Sequence, residues 1–349
     1  MNGDSLPDIR SLTREDIQHF FMLNGEKKFR ADQLYEWLWK RSCLSFDAMT
    51  NFSRPLQQLL RNHFTFHTAV TEVRQQSADG TIKAAFRLHD GLLVEGVLIP
   101  SGNRATVCIS SQVGCALACK FCASGQMGFS RNLTAGEIVD QITGIRKSDT
   151  AGLSPLSNIV FMGMGEPFLN YPNVRKAIEM ITSSDGLGMS PQRITVSSVG
   201  IPKMIRLMAD DNPKYHFALS LHAATDEKRD KIIPFNLKSP LREIIEALKY
   251  YQQKTGKRIT IEYILFHKFN DSVADAKELA VFCRNFPVKI NIIEYNPVDH
   301  SDFEKSSPEN TAKFVAFLES RNLIVNVRQS RGKDIDAACG QLAGKKNNN

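Results

Sequence analysis

Hydrophobic positions change their period twice along the chain, and each change marks a different kind of structure. Up to about residue 65 the spacing is helical. In FRADQLYEWLWKR (29–41), Leu34, Trp37 and Leu38 share one stripe while Arg30, Glu36 and Lys40 face solvent, and SRPLQQLLRNHF (53–64) predicts a second helix. From Ala69 the period is two. VTEVRQQ, a turn at Ala78, Asp79 and Gly80, then TIKAAFRL and LLVEGVLIP read as a small antiparallel meander. Beyond Ser101, apolar β-branched strands at 105–111, 158–162, 193–197, 216–221, 258–265, 289–295 and 323–328 alternate with helical stretches. Helix starts are marked by a capping box at Thr134 and Glu137, and by Ser239-Pro240 and Ser307-Pro308, each a cap residue before a proline.

Alternating strands and helices imply a parallel sheet with right-handed crossovers. The expected fold is therefore α/β: a partial (β/α)6 TIM-type barrel over 101–330 with a C-terminal segment, 331–349. A small N-terminal helical accessory domain (1–68) and a short antiparallel β extension (69–100) precede it. Active sites of such barrels lie on the loops after the strands' C-terminal ends. The loop 110–129 follows the first strand, GMGEP (163–167) the second, SSVG (197–200) the third, SLHAA (220–224) the fourth and EYNPV (294–298) the sixth. Five unusual motifs thus fall at one end.

Composition adds constraints. A chain of 349 residues with 42% hydrophobic and 23% charged residues is an ordinary soluble protein larger than one usual core. No apolar run approaches the roughly 18 residues needed to span a bilayer. MNGDSLPDIR offers no apolar leader, the chain ends in a polar KKNNN, and cytoplasmic residence with reduced thiols is expected. The net charge of +7 is uneven: residues 1–100 carry 12 basic and 12 acidic groups, residues 101–349 carry 32 and 25. The excess suits a polyanion such as RNA, or simply a mildly basic surface.

Candidate chemistry centres on SSQVGCALACKFCASGQMGF (110–129), where Cys115, Cys119 and Cys122 are spaced Cys-x3-Cys-x2-Cys. Three thiolates on one loop can hold three irons of a [4Fe-4S] cube and leave the fourth open to a small molecule. A structural zinc usually wants four ligands in two separated pairs, and no second Cys-x2-Cys pair occurs. Cys43 and Cys283 read as small buried hydrophobes. Cys339, in the polar, glycine-bearing DIDAACGQLAG, reads instead as a reactive thiol. Glu95 interrupts the apolar LLVEGVLIP, either facing solvent on an edge strand or held as a functional acid in an apolar site.

The cysteine loop resembles that of the radical S-adenosylmethionine superfamily. CISSQVGCALACKFC, FMGMGEP, SLHA, EYNP and DIDAACGQLAG together resemble the dual-specificity RNA methyltransferases within it, over about Gly25 to Gly344. The resemblance implies one [4Fe-4S] cluster on Cys115, Cys119 and Cys122 and S-adenosyl-L-methionine, two molecules per turnover. The cofactor contacts it implies are Gly165, Glu166, Ser197, Ser220, Leu221, His222 and Asn296. It further implies methylation of adenine carbon 2 in 23S rRNA, at the peptidyl-transferase centre and before ribosome assembly is complete, and beside the anticodon of certain tRNAs. In the implied relay Cys339 takes a methyl group from one cofactor molecule, and a second yields a 5′-deoxyadenosyl radical that activates it. The methylene adds to the adenine, Glu95 accepts the ring proton, and Cys108 releases the RNA by forming a disulfide with Cys339. An external electron donor such as flavodoxin and a monomeric state complete the expectation. A carbon-8 adenine methyltransferase of the antibiotic-resistance type would share this chemistry, and a non-catalytic zinc-bearing RNA-binding protein is the alternative from another class.

Overall fold

The computed structural model describes residues 6–148, 155–299 and 301–343; the KKNNN end and Gly344 lie outside them. The chain begins with α1 (Arg14–Leu23), α2 (Phe29–Tyr35) and α3 (Arg54–His63). Thr13 and Asp16 close a capping box on α1, and Ser53 Oγ accepts from Leu56 N at 3.3 Å on α3. The stripe expected in 29–41 is rotated. After α2 the chain widens into a π-helical turn, with Arg41 N donating to Glu36 O at 3.1 Å, so Trp39 joins Leu34 and Leu38 inside. Trp37 is only partly buried: its indole N–H donates to Asn51 Oδ1 at 2.6 Å, and the Arg41 guanidinium lies 4.4 Å from its ring.

Next come β1 (Ala69–Gln76), β2 (Ile82–Leu88), β3 (Leu93–Ser101) and β4 (Arg104–Cys108), paired in antiparallel sequence. A small hairpin of β5 (Gln112–Gly114) and β6 (Phe129–Asn132) brackets the one-turn α4 (Ala123–Gln126). The alternation follows: α5 (Ala135–Ser148), β7 (Leu156–Phe161), α6 (Tyr171–Thr182), β8 (Ile194–Ser198), α7 (Pro202–Asp210), β9 (His216–Ser220), α8 (Asp226–Ile232) and α9 (Leu241–Thr255). It closes with β10 (Ile259–Leu265), α10 (Val273–Cys283), β11 (Val288–Glu294), α11 (Pro308–Glu319) and β12 (Val325–Arg328). Ten strands form one sheet in the order β1-β2-β3-β4-β7-β8-β9-β10-β11-β12, parallel from β4 onward. The meander is therefore continuous with the barrel sheet, and Glu95 sits on an interior strand, not an edge.

Thr134 and Ser307 cap α5 and α11 as the sequence predicts, with Glu137 N and Asn310 N donating at 3.2 and 3.1 Å. Ser239 does not cap α9. That helix starts one residue later, at Leu241, whose N–H donates to Asp226 Oδ1 at 2.9 Å, so a neighbouring helix supplies the cap. The N-terminal helices are joined to the barrel by Arg10, 3% exposed, which donates to Asp140 Oδ1 at 2.7 Å and His67 O at 2.6 Å. No described helix is long and apolar enough to cross a membrane.

Candidate active site at the C-terminal strand ends

The loop between β4 and α5 is folded tightly on itself. Cys115 N donates to Gly128 O at 2.9 Å, Cys122 N to Cys119 O at 3.2 Å, and Lys120 N to Ile232 O at 3.0 Å. Cys115 and Cys119 are buried and Cys122 is partly so. Burial pushes the Cys115 thiol up to about 12, Cys119 well above the ordinary thiol range and Cys122 above it. Such thiols keep their protons near neutral pH unless a cation replaces them. Among the described residues no three His, Cys, Asp or Glu groups converge to hold a single metal ion. Three soft donors on one loop bordering a cavity fit a [4Fe-4S] cube, in which each would hold one iron.

That cavity is lined by the three cysteines together with Gly163, Gly165, Glu166, Ser197, Ser220 and His222. Four strand ends thus bring together most of the residues picked from sequence. As far as the described residues go, the lining leaves out Leu221, fully buried, and Asn296. The GMGEP glycines serve packing as well as access. At Gly165, with φ +93°, a Cβ would stand 2.4 Å from Gln112 Cβ, and at Gly163 it would stand 2.7 Å from the Ile109 carbonyl. The Glu166 carboxylate braces the loops: Oε1 accepts from Phe168 N at 2.9 Å and Oε2 from Val199 N at 3.1 Å. Burial raises it to about 7 against those hydrogen bonds. His222 Nδ1 accepts from Ile264 N at 3.1 Å, and burial drives its pKa to about 3. The ring is therefore neutral, with Nε2 carrying its proton.

A second cavity adjoins the first. Cys108, Met162, Arg328 and Leu342 line it, and Cys339 lines both. Cys108 is buried, and burial followed by the nearby Cys339 charge raises its thiol to about 12. Cys339 is exposed as a residue, yet surrounding protein atoms desolvate its sulfur and raise its pKa, which places the thiol in a cavity mouth rather than on open surface. Both thiols are free.

The segment carrying Cys339 is held from three sides. Gly332 N donates to Asp79 Oδ2 at 3.0 Å and Ser77 Oγ to Asp334 Oδ1 at 2.5 Å. Ala123 N donates to Gly340 O at 2.7 Å, Ser124 Oγ to Leu342 O at 2.6 Å, and Asn296 Nδ2 to Cys339 O at 3.4 Å. Glu95 is 4% exposed. Its Oε2 accepts from Ala343 N at 2.9 Å, and Lys83 Nζ lies 3.8 Å from Oε1.

Two residues here escaped the sequence reading. Arg229, 1% exposed, donates to Leu221 O at 3.1 Å and Ser220 O at 3.3 Å and also binds Val199 O, tying two strand ends together. Its signal was hidden in the charged run DEKRDK. Glu262, 3% exposed, lines the first cavity from β10. A lone carboxylate within the apolar ITIEYIL was the available signal.

The profile described as the ribosomal RNA large subunit methyltransferase N-terminal domain matches residues 7–66, and that of the radical SAM superfamily matches 109–280. A protein of Flavobacterium psychrophilum named "Probable dual-specificity RNA methyltransferase RlmN" is 52% identical over 339 residues, covering 97% of this chain and 98% of its own. The "Dual-specificity RNA methyltransferase RlmN" of an Anaeromyxobacter species is 42% identical over 342 residues, covering 97% and 90%. The crystal structure of a radical SAM methyltransferase from Sphaerobacter thermophilus superposes with a TM-score of 0.91 at 38% identity, over 97% of this chain and all of that one.

Proposed function

Because the chain belongs to the RlmN family of dual-specificity RNA methyltransferases, within the radical SAM superfamily, we propose that it methylates adenine carbon 2 in 23S rRNA and tRNA with Cys339 as the methyl carrier. The observation that supports this is the position of Cys339, which lines both the cavity beside the cluster cysteines and the one holding Cys108.

A [4Fe-4S] cluster and S-adenosylmethionine supply a transferable methyl group and a hydrogen-abstracting radical. Cys115, Cys119 and Cys122 hold the cluster. Gly165, Glu166, Ser197, Ser220 and His222 would hold the cofactor, with the Glu166 side chain bracing the loop, the buried Leu221 carrying the strand end between Ser220 and His222, and Asn296 acting beside Cys339. Adenine carbon 2 is an electron-poor ring carbon without a lone pair, so direct displacement of methyl from sulfonium is closed to it and a carrier is required. Cys339 gives up its proton and takes the methyl group. Once the activated carbon is bonded to the adenine, Glu95 accepts the ring proton. Cys108, giving up its thiol proton, then attacks the Cys339 sulfur; the carbon–sulfur bond breaks with its electron pair on the carbon, which takes up a proton to become the new methyl group. The odd electron of the adduct would pass to the site that holds the cluster, and external reductant reopens the disulfide that forms.

The substrates are 23S rRNA at the peptidyl-transferase centre and the adenosine beside the anticodon of certain tRNAs. Residues 7–66, with Trp37 and Arg41 at the surface, contribute RNA contact. The protein works as a cytoplasmic monomer fed by a flavodoxin-type electron donor. The test is anaerobic incubation with labelled S-adenosylmethionine and RNA, followed by mass spectrometry of the nucleosides. 2-Methyladenosine is expected; 8-methyladenosine, or no modified nucleoside from protein with a full cluster, overturns the proposal.

A further inference from the structure

Glu262 carries an oxygen with nothing to do. Oε1 accepts from Asn291 Nδ2 at 2.9 Å, which fixes the carboxylate's orientation, while buried Oε2 accepts no hydrogen bond from any described residue. Arg328 Nη1 stands 3.7 Å away, beyond hydrogen-bond reach, on a side chain that is 42% exposed. A buried, unbonded carboxylate oxygen costs about 1–3 kcal/mol or more, and native proteins rarely carry one without a use.

Its neighbours indicate the use. On the adjoining strand Ser220 is the register partner of Glu262, and Ser220 Oγ shares a hydrogen bond of 2.9 Å with Ser197 Oγ. Two hydroxyls and a carboxylate thus form one polar row across β8, β9 and β10, facing the cavity that the cluster cysteines border.

We propose that Glu262 accepts the hydrogen bonds of the ribose cis-diol of S-adenosylmethionine, with Ser197 and Ser220 completing the site. The inference rests on the reading that this cofactor occupies the cavity. A cis-diol presents two adjacent O–H donors that also accept, matching a row that pairs a free acceptor with two hydroxyls. An adenine edge sets one donor amine beside ring nitrogens that only accept, whereas both hydroxyls of the diol donate and accept, as a row of one carboxylate and two hydroxyls allows. Burial raises the Glu262 pKa, as expected of a carboxylate awaiting the donors that would favour its charged form.

Equilibrium dialysis of cluster-loaded wild-type protein, Glu262→Ala and Glu262→Gln against S-adenosylmethionine and its 2′-deoxy and 3′-deoxy analogues tests this. Visible absorbance reports the cluster in each. The Ala variant is expected to bind S-adenosylmethionine roughly 10- to 100-fold more weakly, as for hydrogen bonds to a charged group. Wild-type protein should lose affinity for each deoxy analogue, whereas the Ala variant, left with the two serines, should discriminate among the three several-fold less. The Gln variant keeps the shape and one acceptor and should fall between, and it carries the test if the Ala variant loses its cluster. Unchanged affinity, or full discrimination against the deoxy analogues by the variants, overturns the assignment: a merely structural Glu262 would weaken all three ligands equally. Wild-type protein with a full cluster that binds no S-adenosylmethionine overturns the cofactor reading itself.

Discussion

The backbone N–H of Ala343 donates to a carboxylate oxygen of Glu95 at 2.9 Å, so the residue proposed to take the adenine's proton also anchors the segment that carries Cys339. The proposed base and the proposed methyl carrier are thereby held to one another, and the two roles of Glu95 can be separated by choice of substitution.

Glu95→Gln keeps an acceptor for Ala343 but not a base. Methyl transfer to RNA should fall by about 10²- to 10⁴-fold, while intact-protein mass spectrometry still shows methyl loading on Cys339. Glu95→Ala should in addition speed hydrogen exchange across 331–343. Normal turnover by the Gln variant would remove Glu95 from the reaction.

The five cysteines divide by assay. Alanine at Cys115, Cys119 or Cys122 should abolish the iron–sulfur absorbance along with all methylation. Alanine at Cys108 or Cys339 should leave that absorbance intact. Cys108→Ala should trap the protein covalently on RNA, visible as a gel shift that survives denaturant, whereas Cys339→Ala should give neither product nor adduct.

Arg10 and Asp140 form a buried pair at 2.7 Å that joins the N-terminal helices to α5. Removing one partner strands a buried charge, at about 3–5 kcal/mol. Arg10→Ala and Asp140→Ala should each cost that much in urea unfolding, and the double variant less than their sum.

His67 and His89 stack at 3.8 Å with their planes 6° apart. Burial and then the His89 charge lower the His67 pKa from its ordinary 6.5. A histidine with a depressed folded pKa binds fewer protons folded than unfolded, so its contribution is full above 6.5 and is lost as pH falls through the lower folded value. The urea midpoint should drop between about pH 7.5 and about pH 5.5, and His67→Gln should flatten part of that drop. His222, driven to about 3 by burial, leaves a decline of the same sign in that variant.

What was legible from sequence is what periodicity and spacing encode. The alternation of strands and helices, the cysteine loop and the placement of motifs at one strand end follow from local pattern and a topological rule, and the parallel sheet bears out the alternation. Trp37 was misplaced because a π-helical turn breaks the 3.6-residue period on which the stripe depends. The cap of α9 was missed because its acceptor, Asp226, lies 15 residues upstream. Arg229 is invisible to pattern for a related reason, while Glu262 shows in the sequence only as a lone carboxylate within the apolar ITIEYIL. A charge in a polar run reads as a solvated face, and only the packing of distant strands reveals that one such guanidinium is enclosed and one carboxylate oxygen is left bare.

The three antiparallel strands before the barrel hold the chain that follows it, since Asp79 and Glu95 grip Gly332 and Ala343. The two regions flanking the catalytic scaffold therefore behave as one tool assembled from opposite ends of the sequence. A chain trimmed to its barrel could still house the cysteine loop, but it would lack the contacts from Asp79 and Glu95 that seat the segment carrying Cys339, the proposed methyl carrier.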